Sequence, residues 1–382
     1  MLGQGSDRMK HQGLTMYGGS APTKRQIAPA SEDKSSRPAN GTGTEPAMLA
    51  DGRLAGLLGL ASSTAVESAL RSALFDPMAA LIANPGKRLR AQLVTMTYRL
   101  FQDKRAVSFA AAKQCRDCAE VVELMHAGSL IVDDIEDGSK MRRGRPALHV
   151  QFGVPLALNA GNWLYFWPFE LLKDAGLAAE QMACLYERYN RTLLRAHFGQ
   201  ALDLGAKVPQ LPQTSVAEVC LAGMTLKTGA LMGFAAALGG SVAGNPERVL
   251  ESLDAFGVDL GIALQMYDDL GNVIGTGDPQ KRYEDLALSR PSWVWACAAT
   301  ATDAYDYETF LQAVAELPNA QSLESWIASH DLIPMTRASA RQHLDLAFDN
   351  LQQRLCAANV AWSSRVFNEL RQLGEEIAVA YG

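Results

Sequence analysis

From about Leu54 onward, apolar residues, mostly Ala, Leu and Met, recur at intervals of three and four positions. This spacing predicts amphipathic helices, because it places apolar side chains on one face of a 3.6-residue repeat. Two long examples run from Ala106 to about Ile135 and from about Leu250 to Asn272. Alternating β-branched runs are few, so the pattern needs no strand. It therefore predicts an all-α fold.

The first part of the chain lacks this helical pattern. Residues 1–51 are rich in Gly, Pro, Ser and Thr, and they contain neither the apolar core of a signal peptide nor an Arg-rich, acid-free transit pattern. We interpret them as a disordered N-terminal extension and residues 52–382 as one helical domain. No run of eighteen or more apolar residues occurs, so the sequence predicts no transmembrane segment.

Composition and charge indicate the class of protein and the partners that it can bind. The chain has 382 residues, of which 48% are hydrophobic and 20% charged, an ordinary composition for a soluble protein. The formal net charge of -6 argues against nucleic acid as a partner, since binding a phosphate backbone usually requires a basic face. The 6 cysteines are scattered through helix-like segments, which indicates buried thiols in a reducing compartment rather than a zinc site. We therefore expect a cytoplasmic protein.

Two acidic clusters lie near the C-terminal ends of the two long predicted helices. One begins at Asp133 and ends at Asp137, and the other begins at Asp268 and ends at Asn272. Unpaired carboxylates in such apolar stretches would be costly to bury, and a helix C-terminus adds partial negative charge. The ends of each cluster are four residues apart, so they share a helix face and can reach the same ion. Oxygen ligands of this kind suit Mg²⁺, which completes its shell with water and substrate phosphate.

Four groups of basic residues accompany the acidic clusters: 86–90, 140–145, Lys227 with Thr228, and Lys281 with Arg290. A solvated salt-bridge loop would explain any one of them taken alone. The sharper interpretation is that arginines bind phosphate oxygens bidentately while the aspartates hold the same phosphate through magnesium. The helix that starts near residue 86 would add free N–H groups, which favour an anion. Taken together, the clusters describe a site for two anionic ligands.

At these motifs the chain resembles the trans-isoprenyl diphosphate synthases, most closely the geranylgeranyl diphosphate synthases of fungi and animals. The resemblance spans roughly Pro85 to Trp293, with every motif in the family's order. The matching motifs are GKRxR at 86–90, the first aspartate-rich motif at 125–146, the GQxxD helix at 197–203, the KT pair at 227–228, and the second aspartate-rich motif with its DDxxN ending at 265–272.

The resemblance implies an isoprenoid synthase-type helical bundle around a deep central cavity, with the two aspartate motifs facing each other at its mouth. It implies a magnesium-dependent trans-prenyltransferase that uses three Mg²⁺ ions per site. Its substrates would be isopentenyl diphosphate and an allylic diphosphate, namely the dimethylallyl, geranyl or farnesyl compound. The implied protein partner is a second copy of the chain in a homodimer.

The resemblance also implies a role for each matching residue. Those for the diphosphate of isopentenyl diphosphate are Lys87, Arg90, His126 and Arg143. Those for the allylic diphosphate are Arg142, Lys227, Thr228, Gln265, Lys281 and Arg290. The magnesium ligands would be Asp133, Asp134, Asp137, Asp268, Asp269 and Asn272. The catalytic residues would be Asp133, Asp134, Lys227 and Asp268.

The residues before the first acidic cluster bear on product length. Gly128 and Ser129 stand where short-chain relatives place an aromatic floor. Small residues there would leave a prenyl tunnel open, and Met125 and Val122 become the next candidate obstacles. We therefore expect a product of about twenty carbons, geranylgeranyl diphosphate, or longer, because closing a tunnel needs bulk at that depth.

Two other functions stay open from the sequence. A terpene cyclase ionises a prenyl diphosphate in the same way but has no second diphosphate to bind. A noncatalytic prenyl-binding subunit would keep the fold with eroded aspartates. Away from the motifs, we interpret His149 and His197 as satisfying local hydrogen bonds. The aromatic run at 163–169 is interpreted mostly as core packing, although part of it could line a prenyl channel.

Overall fold

A computed structural model describes residues 56–57, 59, 63–82, 84, 86–102, 108–173, 175–276 and 281–381. The predicted extension at 1–51 lies outside the described residues. Residues 58–382 form one unit, and the helices below all belong to it.

The described residues are almost entirely helical, which confirms the predicted all-α class. The α-helices are α1 Thr64–Leu70, α2 Asp76–Ile82, α3 Leu89–Gln102, α4 Phe109–Glu136, α5 Leu148–Phe152, α6 Val154–Trp163, α7 Trp167–Leu172, α8 Ala179–Gly205, α9 Gln213–Met224, α10 Ala230–Val242, α11 Glu247–Ile274, α12 Glu284–Ala287, α13 Trp293–Ala301, α14 Ala304–Ala315, α15 Gln321–Ser329, α16 Leu332–Ala357 and α17 Ser364–Tyr381. Two π-helical turns, Arg71–Phe75 and Thr225–Gly229, join α1 to α2 and α9 to α10, and a 3₁₀ turn spans Val208–Gln210.

The core is built around α10, which is buried from Ala230 to Ser241. It packs against α11 and α3, and α11 packs in turn against α16. Small residues make the close approach possible: a Cβ atom at Gly257 would lie 2.4 Å from the carbonyl oxygen of Met232. This packing fixes α11 between α10 and α16.

One described helix, the continuous stretch Gln213–Val242, is long and apolar enough to cross a membrane by length and composition, which the sequence had not indicated. Within the structure, 61% of its apolar window is buried. The uninterrupted burial of α10 accounts for this apolar character, since a helix packed on all sides is apolar all round.

The two acidic clusters occupy the C-terminal ends of α4 and α11, as predicted. Both helices have 28 residues. Each is followed by a left-handed glycine, Gly138 with φ 63° and Gly275 with φ 83°, which lets the chain turn away directly after the acidic residues. At the second of these ends, the N–H of Gly275 donates to the carbonyl of Gly271.

A short hairpin follows α4, although the sequence pattern called for no strand. Strands β1 (Met141–Arg142) and β2 (Arg145–Pro146) pair antiparallel, with Met141 opposite Pro146. At the turn, Arg143 and Gly144 have φ values of 52° and 75°, the two left-handed residues that a tight two-residue hairpin requires. Strands of two residues are too short to show alternation, which is why the pattern missed them.

Candidate active site

Both acidic clusters line one cavity of about 590 Å³. Its walls come from the C-terminal halves of α4, α8 and α11, the π turn before α10, the hairpin, and residues 86–90 at the start of α3. Asp133, Asp137, Asp268 and Asp269 all contribute to its lining. The central sequence prediction, that the two clusters meet, therefore agrees with the structure.

Asp133 is the most heavily paired carboxylate of the first cluster. Lys227 donates to its Oδ1 at 3.1 Å, and Gln200 Nε2 donates to the same oxygen at 3.1 Å. Arg142 lies 3.6 Å from its other oxygen. Burial acts to raise the pKa of Asp133, but Lys227 and Arg142 outweigh it and hold the pKa below its usual value. The carboxylate is thus ionised and faces the cavity.

Asp134 differs from its neighbour, because consecutive residues on a helix point about 100° apart. It is 3% exposed and does not line the cavity. Its carboxylate instead accepts two hydrogen bonds from Nε of Arg142, at 2.9 and 3.1 Å, and pairs with the same guanidinium through its terminal nitrogen. The structure therefore does not bring Asp134 into the cavity with the other implied metal ligands; Asp134 orients Arg142 instead.

Asp137 completes the cavity-facing side of α4, four residues after Asp133. Its partner is Arg290, which comes from the chain after α12. Burial raises the pKa of Asp137 in spite of Arg290, and the nearby charge of Asp133 adds to the rise. A cation at this position would therefore relieve a carboxyl that the protein alone leaves only partly compensated.

The two aspartates of the second cluster have different surroundings. Asp268 is accessible from the cavity, and its enclosed position raises its pKa while the charges of Lys87 and Arg142 act in the opposite direction. Asp269 is 4% exposed and accepts hydrogen bonds from Gln265 Nε2 at 2.8 Å and from the N–H of Trp293 at 2.6 Å. Burial, followed by the charge of Asp285, raises the pKa of Asp269 well above its usual value. Asp268 is the member of this pair that presents a carboxylate to a ligand.

Asn272 and Lys281 lie outside the described lining of the cavity, contrary to their implied roles. Asn272 Nδ2 donates to the carbonyl of Lys281 at 2.8 Å, which ties the chain after α11 back onto the helix. The Lys281 ammonium lies 3.6 Å from Glu284. An i+4 spacing from Asp268 placed Asn272 on the right side of α11, but the returning chain covers it.

The π turn between α9 and α10 carries the predicted Lys227 and Thr228. Lys227 bridges two carboxylates, since it donates to Asp203 at 2.7 Å as well as to Asp133. Thr228 donates to the side-chain oxygen of Gln265 at 2.8 Å, so this pair links the turn to α11. A π turn is a frequent local device at functional sites.

A second group, made of three basic residues and one histidine, lines the same cavity. Lys87, Arg90, His126 and Arg143, the residues implied for a second diphosphate, all lie there. The guanidinium of Arg143 rests on Gly86, where a Cβ atom would meet it at 2.9 Å. Burial and the charges of Arg90, Arg143 and Arg142 hold the pKa of His126 well below its usual value, so the imidazole is neutral at pH 7.

Comparison with known proteins identifies this constellation. The family model for polyprenyl synthetase matches residues 71–328. The chain belongs to the polyprenyl synthetase family. This confirms the predicted resemblance to trans-isoprenyl diphosphate synthases and places the chain among the trans-prenyltransferases.

Several relatives are named for geranylgeranyl or geranylfarnesyl diphosphate. The geranylgeranyl diphosphate synthase of Sulfolobus acidocaldarius is 31% identical over 52% of this chain and 57% of that enzyme. The geranylfarnesyl diphosphate synthase of Aeropyrum pernix is 28% identical over 72% of this chain and 85% of its own. A geranylgeranyl pyrophosphate synthase of Aspergillus fumigatus is 34% identical over 52% of this chain, and the match spans about half, 51%, of that enzyme.

The fold is also that of a solved relative. A crystal structure of a geranylgeranyl pyrophosphate synthase superimposes with a TM-score of 0.71, at 20% identity, over 85% of this chain and 96% of that one. The comparisons favour chain elongation over the terpene-cyclase and noncatalytic alternatives, because these relatives are all prenyl diphosphate synthases.

The polyprenyl synthetase cavity also contains carboxylates to which sequence reasoning assigned no role. Asp203, within the GQxxD stretch, lines the cavity beside Lys227, and Asp285 on α12 lines it near Asp268. The GQxxD motif was a signal for the first. For Asp285 there was no signal, because its spacing from the clusters follows no helical repeat.

The donor set fits magnesium, on which polyprenyl synthetases generally depend. No three His, Cys, Asp or Glu side chains converge on one point within the part of the chain that the structure describes. Mg²⁺ does not require such a cage, because it is usually held by one or two carboxylates together with water and substrate phosphates. Asp133 and Asp137 on one wall and Asp268 on the other supply carboxylates of this kind.

Replacing Asp285 by Asn is expected to change how stability depends on pH. Burial, then repulsion from Asp268 and Asp203, raises the pKa of Asp285 from 3.8 to about 7. The folded state therefore binds this proton more tightly than the unfolded state, and wild-type stability falls relative to the variant as pH rises from about 4 to 7. In thermal unfolding with EDTA at pH 8, the melting temperature of Asp285→Asn should exceed that of wild type by at least about 2 °C. If the difference in melting temperature between the variant and wild type is the same at pH 4.5 and pH 8, the pKa of Asp285 is not raised in the folded protein.

The two histidines and the aromatic run that we interpreted as structural differ in their contacts and burial. His197 Nδ1 lies 2.8 Å from the carbonyl of Leu193, as expected, whereas Nδ1 of His149 is buried with no partner among the described residues. In the aromatic run, Trp167 is a core residue at 3% exposure, but Phe166 is 73% exposed and Tyr165 lines the cavity. The core interpretation is therefore right for Trp167 and wrong for Phe166.

Proposed function

We propose that this chain lengthens an allylic prenyl diphosphate by condensation with isopentenyl diphosphate, in a magnesium-dependent reaction. One observation carries the proposal. A single cavity holds cavity-facing aspartates at two helix ends together with a second set of basic residues, Lys87, Arg90 and Arg143, for a second diphosphate. A site built to ionise one prenyl diphosphate alone would not need the second group.

The proposed magnesium ligands are Asp133, Asp137 and Asp268, and we propose three ions per site with water and diphosphate oxygens as the remaining ligands. Bound magnesium would supply positive charge for the departing diphosphate. In the structure, Lys227 pairs with Asp133 and Arg290 pairs with Asp137. We infer that these cations turn from the carboxylates to the allylic diphosphate when the ions bind, which keeps the local charge balanced.

The residues then act on two substrates. Lys227, Arg142 and Arg290 stabilise negative charge on the leaving diphosphate, so that the allylic C–O bond breaks toward an allylic cation. Lys87, Arg90 and Arg143, with neutral His126 as a hydrogen-bond donor, hold isopentenyl diphosphate so that its double bond attacks that cation. A proton then leaves the new chain, and the released diphosphate accepts it. The product is one isoprene unit longer.

Apolar side chains on four helices line the cavity about one to three helical turns from its charged residues. They are Met125 on α4, Leu193 on α8, Leu231 on α10 and Leu264 on α11. Val122, the other expected obstacle, is fully buried and does not reach the lining. We propose that these four side chains together, rather than α4 alone, determine the length at which the growing prenyl chain stops.

Gly128 does not widen the tunnel, contrary to the sequence interpretation. A Cβ atom there would lie 2.8 Å from the carbonyl oxygen of Gly161 and 2.9 Å from Leu164 Cβ. The missing side chain therefore serves the close packing of α4 against α6. Ser129 does line the cavity. The proposal of geranylgeranyl diphosphate or a longer product thus rests on Ser129 and on the relatives, not on Gly128.

Product analysis separates this function from its alternatives. Purified enzyme would be incubated with Mg²⁺, labelled isopentenyl diphosphate and each primer in turn: dimethylallyl, geranyl or farnesyl diphosphate. We expect geranylgeranyl diphosphate or a longer chain as the main end product. Farnesyl diphosphate as the dominant end product would refute the proposed length, a cyclic hydrocarbon would indicate a cyclase, and no turnover would favour a noncatalytic subunit.

We also propose that the protein is a cytoplasmic homodimer. Exposed apolar side chains on α6, α8 and the turn between α6 and α7 support the second copy: Val154, Leu156, Leu158, Phe166, Leu194 and Phe198. We propose that these side chains contribute to the contact with the second copy. All six cysteines are free thiols, which supports a reducing compartment. Light scattering should give twice the chain mass of 41.2 kDa, and cell fractionation should recover the protein in the soluble fraction.

A further inference from the structure

Helix α3 is capped by a side chain from another helix. Arg88, the residue before α3, has a left-handed φ of 51° and a side chain with no acceptor, so it cannot cap the helix itself. Glu123 on α4 takes that place, with Oε1 accepting a hydrogen bond from the N–H of Ala91 at 2.9 Å. The sequence suggested that these N–H groups would be free for a substrate anion. Instead, a carboxylate of the protein already occupies one of them.

The loop that leads into α3 is held to the same face of α4. Arg88 forms an ion pair with Glu120, three residues before Glu123. Gln92 Nε2 donates to the carbonyl of Lys87 at 2.8 Å, which fixes the peptide between Lys87 and Arg88. The guanidinium of Arg88 is therefore paired with α4. Lys87 and Arg90, which flank Arg88 in this segment, also line the cavity.

The hairpin holds this loop from the other side. Nδ2 of Asn84 donates to the carbonyl of Arg143 at 3.1 Å, and the guanidinium of Arg143 donates to the carbonyl of Asn84. Arg143 also rests on Gly86. The basic residues proposed for isopentenyl diphosphate thus come from two segments, the 86–90 loop and the hairpin, which contact each other. The fourth residue, His126, lies on α4 itself.

We propose that Glu123 is a positioning residue for isopentenyl diphosphate, an inference that rests on the proposed function. By capping α3 across the helix interface, it fixes the first turn that carries Arg90 and the loop that carries Lys87. A carboxylate at a helix N-terminus is stabilised by both the hydrogen bond and the helix dipole. Glu123 bonds to the helix that carries Arg90, so we expect its effect to fall mainly on isopentenyl diphosphate.

Steady-state kinetics of Glu123 variants test this role. Glu123→Ala is expected to raise KM for isopentenyl diphosphate about tenfold, with kcat and KM for the allylic substrate unchanged within about twofold. Glu123→Gln keeps an acceptor oxygen for the N–H of Ala91 and should restore KM to near the wild-type value. Glu187→Ala, which removes an exposed glutamate paired with Arg191 on α8, is the matched control and should change nothing.

The possible outcomes decide the proposal. An unchanged KM for isopentenyl diphosphate in Glu123→Ala overturns it, and so does an equal loss in both KM values and kcat, which would indicate general damage. If Glu123→Ala does not fold, Glu123→Asp decides, because it keeps the charge but is too short to reach Ala91. If wild type itself shows no turnover, the proposed function fails. The affinity of each variant for inorganic pyrophosphate, measured by calorimetry, then tests the positioning role by itself, with weaker binding to Glu123→Ala expected.

Discussion

Replacing Asp133 by Asn is expected to lower kcat by about 10²- to 10³-fold while leaving the melting temperature close to wild type. Asp133 faces the cavity, where its carboxylate would bind magnesium and hold Lys227 in place. The variant keeps the shape of the side chain, and Lys227 keeps its second partner Asp203 at 2.7 Å. The fold therefore loses little. Single-turnover kinetics and thermal unfolding of the same preparation measure both effects.

Asp134→Asn is the matched control for this prediction, because it makes the same chemical change one residue along the helix. Asp134 is buried beneath Arg142, so the variant breaks a mostly buried ion pair. The free energy of unfolding should fall by about 2–3 kcal/mol, slightly less than for a fully buried ion pair, because Arg142 is partly exposed. Activity should fall as well, through the misplaced arginine. If Asp133→Asn destabilised the protein more than Asp134→Asn, the assignment of the two aspartates would be reversed.

Replacing Ser129 by Phe is expected to shorten the main product to farnesyl diphosphate. Ser129 lines the cavity about one turn before Asp133, and an aromatic ring there would occupy space that the fourth isoprene unit needs. Chromatography of the dephosphorylated products measures the change. Ser129→Ala removes the hydroxyl that donates to the carbonyl of His126 but adds no bulk, so it should leave the product length unchanged.

Gly128 provides the contrasting variant at the adjacent position. Gly128→Ala would place its Cβ under 3 Å from the carbonyl oxygen of Gly161, a backbone atom that cannot easily move. We expect a loss of about 1–3 kcal/mol in stability with no change in the product spectrum. A shorter product from Gly128→Ala, or an unaltered product from Ser129→Phe, would show that the tunnel follows a different side of α4.

Local periodicity was sufficient to predict the helices and the position of the acidic clusters at two helix ends. Both signals are short-range: the apolar repeat defines α4 and α11, and the glycines after each cluster end them. The same repeat placed Asp133 and Asp137 on one side of α4. The order of the motifs then identified the family, which the comparisons confirm.

The surroundings of each side chain could not be predicted in this way, because they depend on contacts between distant segments. Asp269 is turned into the protein by the N–H of Trp293, a residue 24 positions away. Asn272 is covered by the returning chain at Lys281. Gly128 is small because α6 packs on it, not because a product passes it. Each of these required a partner that no local pattern specifies.

The dependence of turnover on magnesium is the most direct test of the proposed site. Transfer of labelled isopentenyl diphosphate to farnesyl diphosphate would be followed with free Mg²⁺ varied over a wide range, and again after exhaustive chelation with EDTA. If the cavity aspartates hold catalytic magnesium, turnover rises with Mg²⁺, disappears with EDTA and returns when the metal is restored. Elongation that continues undiminished in the chelated enzyme would contradict it.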